Sequence, residues 1–336
     1  MLTKQEGFLG FLSQDDVRFL IPVYQRVYSW TNHQCRDLFV DIMRAGLNQT
    51  QHFIGTALFI GSESSTQHDR ALDVIDGQQR LATMSILLAA FSKYLAERDL
   101  TPGGLDAEAV KNRFLLRNGN AKIKLSNADA PTYESILFDA PEPVKPSVRA
   151  KENYSYFYEQ MQEEHFDAER FVRGLEQLVL IHAMLGEGDN PQMIFESLNS
   201  KGIPLTTADL VRNYLLIGLS HEEQTRLYKE YWAPIERMFG VDPGSAKLNT
   251  GISMWLSLRF CKKPIPDKNE TYAVFKSYME DNFDGSREEL LDELRSFSLV
   301  WAENFKFNEA KFFRSQDWAK DKPTTLVPQW GHPSGF

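Results

Sequence analysis

The sequence predicts an α+β protein: a small mixed sheet flanked by helices over residues 1–205, followed by an all-α region over 206–336. Three observations carry this. Ala71–Ile75 is a short strand-like run that meets a long apolar helix with no loop between them. In that helix Leu81, Met84, Leu88, Phe91 and Leu95 recur at helical spacing. Residues 17–23, 53–60 and 178–185 are further strand-like segments expected to share its sheet. After Leu205 helix follows helix, over 206–219, 221–239, 247–262, 269–282 and 286–305.

Taken in order, Val17–Val23 reads as a strand, with Pro22 confining it to an edge or an end. Gln25 and Arg26 follow in a loop among Tyr24, Tyr28 and Trp30, aromatics expected in the core. Thr31 with Gln34 forms a capping box, opening a helix whose apolar face is Leu38, Phe39, Ile42 and Met43. The junction after Ile75 is the most informative segment. Asp76 is expected to cap the long helix, with Gln79 completing a second capping box. Gly77 lets an anion approach the free N–H groups of the first turn, where the helix dipole favours negative charge. Arg80 adds a planar cationic fork suited to phosphate oxygens. An isolated Asp-Gly is ordinarily no more than a turn.

Residues 101–175 read as an insertion opened by Thr101-Pro102-Gly103-Gly104. It carries Lys111, Arg113, Arg117, Lys122 and Lys124 around an Asn118-Gly119 hairpin signal. Such a hairpin grips a DNA backbone or forms a solvated sheet face. Four prolines between Pro131 and Pro146 surround a short helix, and Arg149–Gln162 is helical. Residues 177–185 return to strand character, with His182 expected as a satisfied core histidine. Asn190 then caps a short helix with Pro191 at its first position. Glu196 and Asn199, three apart on it, are hard oxygen ligands suited to Mg²⁺ bridged to phosphates. Gly202 and Pro204 end that helix, and Thr206 with Asp209 starts the next.

Together "IPVYQRVYSW" (21–30), "HFIGTALFI" (52–60), "VIDGQQRLATMSILLAAF" (74–91), "IFESLNSKGIPLTTADLVRNYLL" (194–216) and "LYKEYWAPIERMF" (227–239) resemble the N-terminal domain of GmrSD-type modification-dependent restriction enzymes. The same domain occurs in SspE-type phosphorothioate-sensing defence proteins. The resemblance covers roughly residues 15–240. It implies a ParB/sulfiredoxin-like fold that binds and hydrolyses a nucleoside triphosphate, GTP or another. Carried over residue by residue, it puts Asp76, Gly77, Gln78, Gln79 and Arg80 at the phosphates, with Gln25 and Arg26 beside them. Glu196 and Asn199 fall at the metal or catalytic position. Glu196 or Gln79 would position the attacking water. The expected partners are a nucleoside triphosphate with Mg²⁺, modified DNA, and a His-Asn-His nuclease module or partner; a homo-oligomer is among the expected assemblies. No such nuclease module is expected within these 336 residues, whose seven histidines are scattered. The alternative is a non-catalytic module that binds modified DNA or protein and recruits a separate nuclease. A nuclease in its own right would need a carboxylate cluster, and only Asp73, Asp76 and Glu196 are available.

Composition fits a cytoplasmic globular protein, with 42% hydrophobic and 25% charged residues. Cys35 and Cys261 belong to no disulfide or metal pattern. No apolar run approaches the ~20 residues a bilayer requires, so no membrane partner is expected. A net charge of −9 argues against a generic nucleic-acid coat and leaves room for a local basic patch.

Overall fold

A computed structural model of the chain describes residues 1–66, 69–126, 128–186, 188–199, 205–239, 246–260, 268–281 and 283–304. Eight strands occur among them: β1 (Leu2–Gly7), β2 (Val17–Leu20), β3 (His52–Gly61), β4 (Arg70–Asp76), β5 (Leu116–Arg117), β6 (Asn120–Ala121), β7 (Ile123–Lys124) and β8 (Leu178–Leu185). Six of them form one mixed sheet in the order β1-β8-β3-β4-β2-β7, and β5 pairs with β6. The four strand segments read from the sequence therefore share a sheet. Pairing is mixed in sense: β1 and β4 run antiparallel to β8 and β3, whereas β3–β8, β2–β4 and β2–β7 are parallel. β2 is shorter than expected because Pro22 has no N–H for a ladder; the last backbone donor in line is Ile21, to the Lys124 carbonyl.

Three helices carry the argument that follows: α1 (Phe8–Leu12), α2 (Asn32–Asn48) and α3 (Gln78–Arg98). The Thr31–Gln34 capping box that opens α2 is present on both sides. α3 is buried all round, sixteen of its 21 residues lying inside, so no polar face marks it in the sequence. It lies between the core face of the sheet and the helices of the 101–175 insertion. Phe11, Phe19 and Phe59 meet ring to ring in the same core, with centroids 5.0–5.6 Å apart. His182 joins that cluster, 4.9 Å from the Phe11 ring, and bonds Glu6 at 3.1 Å, which satisfies it as expected.

The α2 helix crosses the Ala168–Glu176 helix through two glycines. A Cβ on Gly46 would stand 2.0 Å from the Arg170 carbonyl oxygen, and one on Gly174 would stand 2.0 Å from that of Ile42. Glycine weakens a helix interior, so both positions exist for backbone contact.

Two compact units divide the chain. The first comprises Met1–Leu205 with Asn213–Thr225, the second Thr206–Arg212 with Arg226–Phe336. The second is helical. Thr206 and Asp209 form their capping box. Buried Arg212 pairs with Asp209 at 2.7 Å and Glu236 at 2.6 Å. The helix read over 221–239 is interrupted by a π-helical turn at Tyr228–Trp232. No helix among the described residues is long and apolar enough to cross a membrane.

Candidate functional site

The junction between β4 and α3 differs from the expected cap. Asp76 is the last residue of β4, and Gly77 is the N-cap, with no side-chain hydrogen bond closing the first turn. Two facts make this so. Gly77 takes φ +93, which an L side chain rarely adopts, and its Cα lies against β3, where a Cβ would meet Ala57 and the Thr56 oxygen at 3.1 Å. The strand therefore runs straight into the helix, and Asp76 accepts from the Gly77 N–H instead of reaching forward.

Gln79 does not complete a capping box either. Its Oε1 accepts from Ser29 N–H at 2.9 Å, and its Nε2 donates to the Val27 carbonyl at 3.2 Å. Gln25, expected to project from its loop, is 4% exposed and turns inward. Its Nε2 donates to the carbonyls of Val74 and Ile75 at 3.3 and 2.9 Å. Tyr28 donates its N–H to Asp129 and shares a 2.7 Å bond with Thr83, while Asn153 bonds the Tyr28 hydroxyl and the Trp30 carbonyl. So both neighbours of Arg26 are pinned to the β4–α3 corner, and the loop is part of the rigid frame.

Arg80 is held from the other side. Its Nη1 donates to the Thr56 carbonyl at 2.8 Å, and its guanidinium lies on Gly55, where a Cβ would be 2.5 Å away. Gly55 has φ +110 and sits in the irregular stretch of β3 between Phe53 and Thr56, a bulge that clears the space. Sequence reading did not reach Gly55 and Thr56 as supports for Arg80. The signal was present, since a glycine inside a strand marks a bulge or a close approach.

Asp76 lies in the field of both arginines. Burial pushes its carboxyl up from the ordinary value, opposed by the Gly77 N–H, Arg80 and Arg26 in that order. Burial likewise pushes the Arg80 guanidinium down, opposed by Asp76. Both guanidiniums thus favour the charged form of one carboxylate at the start of a 21-residue helix, where the helix dipole adds positive potential. Gln78 is 6% exposed. With Arg26, Gln79 and Asp129 it borders a cavity of about 10 Å³, room for a water-sized group. Burial pushes the Asp129 carboxyl up, against hydrogen bonds from Ser147, the Tyr28 N–H and Ser126.

The family model for the GmrSD restriction endonuclease N-terminal domain matches residues 8–216, more than half of the chain. The chain belongs to that family. A comparison with curated proteins finds no match. The GmrSD domain covers every element of the corner described above, and it ties the chain to type IV DNA restriction systems.

Within the GmrSD domain the Pro191–Asn199 helix packs on β4, with Asn190 capping it through Met193 N–H and Phe195 buried. The helix that carries Glu196 therefore lies against the strand that ends in Asp76. The Glu196 carboxylate accepts from Gln192 at 2.8 Å. The Asn199 side chain, and the stop expected at Gly202 and Pro204, lie outside the described residues.

The basic hairpin is corrected in part. Asn118 and Gly119 form the turn between β5 and β6, both at positive φ, but Lys111–Leu115 is a π-helical turn. Lys122 is 1% exposed and donates to the carbonyls of Leu12 and Arg113 at 2.6 and 3.1 Å. The Arg117 side chain is 8% exposed and pairs with Asp69 at 2.8 Å, a carboxylate also held by Arg18. Both cations face inward because the short hairpin folds back onto the core. Arg113 and Lys124 are exposed and Lys111 half-buried. Replacing Lys122 with methionine should leave two carbonyls unsatisfied and cost about 1–3 kcal/mol. Urea denaturation would show that loss, with DNA affinity unchanged in a gel-shift titration.

Proposed function

We propose that this GmrSD domain binds and hydrolyses a nucleoside triphosphate at the β4–α3 corner, coupling that event to the sensing of modified DNA in a type IV restriction system. The observation that carries the reading is an uncapped helix start with Arg80 in its first turn and Asp76 before it in the field of both Arg80 and Arg26. Phosphate oxygens suit both guanidiniums and the free N–H groups of the first turn. Asp76 then orients the two cations rather than touching phosphate, since a carboxylate repels it. Gln78, which borders the same small cavity as Arg26, is a further ligand contact.

Mg²⁺ would arrive with the nucleotide. Among the described residues no cluster of three His, Cys, Asp or Glu side chains forms a protein-only cage. A phosphate-bridged Mg²⁺ needs only one or two carboxylates, and Glu196 on the helix against β4 fits that part. Because the Gln79 amide is committed to Ser29 and Val27, the water-positioning role falls to Glu196. Glu196→Gln should slow phosphate release roughly 10²–10⁴-fold while leaving nucleotide affinity within a few fold. An assay of released phosphate with GTP, ATP and CTP, with and without DNA, checks this. Unchanged hydrolysis in the variant would remove Glu196 from the mechanism. In the cell the domain would act in the cytoplasm with a nuclease module or partner.

A further inference from the structure

The sheet ends at β1, whose outer edge faces no other strand among the described residues. Leu2, Thr3, Lys4, Gln5 and Gly7 are exposed and Glu6 is half-buried. Such an edge presents a row of backbone N–H and C=O groups to any strand that can pair with it.

Its sequence restricts what can pair. In a strand, successive residues turn their backbone groups to alternate sides, so only every second residue of β1 offers them outward. When two copies of one strand pair antiparallel about a twofold axis, outward residues must face outward residues. The axis therefore passes through a residue, not between two. An axis at Lys4 sets Lys4 against itself, and an axis at Glu6 sets Glu6 against itself. An axis at Gln5 sets Lys4 opposite Glu6 of the second copy, twice, and Thr3 opposite Gly7. Opposite charges facing each other stabilise a strand pair, and like charges destabilise it. Within the chain the Glu6 carboxylate is held in place, one oxygen 3.0 Å from Lys4 Nζ and the other 3.1 Å from His182 Nε2.

We propose that β1 is a homodimer interface, in which a second copy of this chain pairs antiparallel about a twofold axis at Gln5 and the two six-stranded sheets become one. The competing role for Lys4 is a guard that keeps the edge unpaired. Sedimentation of the full chain across about three decades of concentration separates the two. The wild type should pass from monomer to dimer as concentration rises. Lys4→Glu and Glu6→Lys should each weaken the dimer about tenfold or more, since each replaces two attractions by two repulsions. Combining both substitutions exchanges the partners across the axis and should restore dimerisation to within a few fold. Lys4 is exposed and its ion pair with Glu6 of the same chain contributes little to stability, so the Lys4→Glu variant should melt within a few degrees of wild type. A wild type that stays monomeric, a dimer indifferent to either single substitution, or a double variant as weak as the singles would overturn the proposal.

Discussion

Arg80→Ala is expected to lower nucleotide affinity between roughly tenfold and a hundredfold. A guanidinium that meets phosphate contributes a charge-assisted hydrogen bond of about 1.5–3 kcal/mol, and each 1.4 kcal/mol is a decade in binding constant. Arg80 has the donors to do this. One nitrogen is engaged by the Thr56 carbonyl, and a guanidinium carries five N–H groups in all. The Thr56 contact and the cleft over Gly55 also fix the fork before any ligand arrives, so little side-chain freedom is lost on binding. Arg80→Lys keeps the charge without the fork and should fall between wild type and Arg80→Ala. Calorimetric titration of GTP, ATP and CTP with Mg²⁺ into the three proteins is the measurement. Loss of Arg80 also leaves the half-buried Asp76 carboxylate with one guanidinium fewer nearby, so the variant should melt lower as well. A purely structural Arg80 would give that second effect alone: a lower melting temperature and unaltered affinities.

Gly46→Ala should be the most destabilising of these substitutions, with no change in nucleotide affinity per molecule folded. An added Cβ would stand 2.0 Å from the Arg170 carbonyl oxygen, and the obstacle is helix backbone on both sides, not a side chain that can swing away. The two helices must separate, which loosens the packing of Ile42, Phe39 and Phe171 between them. Overpacking of this kind costs about 1–3 kcal/mol, and a rigid backbone contact belongs at the upper end. The better helix propensity of alanine returns at most about 1 kcal/mol. For a domain of this size a loss of about 2 kcal/mol corresponds to roughly 4–8 °C in melting temperature. A thermal melt that matched wild type would show that the two helices do not meet through Gly46.

Local pattern was enough to read the elements with strong periodicity. α3 was legible from its apolar repeat, and the capping boxes at Thr31 and Thr206 from their spacing, because these depend on residues within one or two turns. The Asp76–Arg80 segment and the Gln25–Arg26 loop were legible as neighbours of helix starts for the same reason. Their side-chain directions were not. Gln25 and Gln79 read as ligand-facing amides, yet each is turned onto backbone more than 45 residues away in sequence. No local rule assigns such a partner. Lys122 and Arg117 likewise read as a surface stripe, and only the fold placed the Leu12 and Arg113 carbonyls and Asp69 where those cations could be buried. β1 is the clearest case. Leu-Thr-Lys-Gln-Glu-Gly has no alternation of apolar and polar residues, so nothing in it announces a strand. It is a strand because β8 offers it a ladder, with Glu6 tied to His182. What the chain determines by itself is therefore the set of periodic elements and the chemistry at their ends. Which amides become frame, which cations are buried and which edge is left open depend on backbone groups that only the folded sheet brings within hydrogen-bond reach.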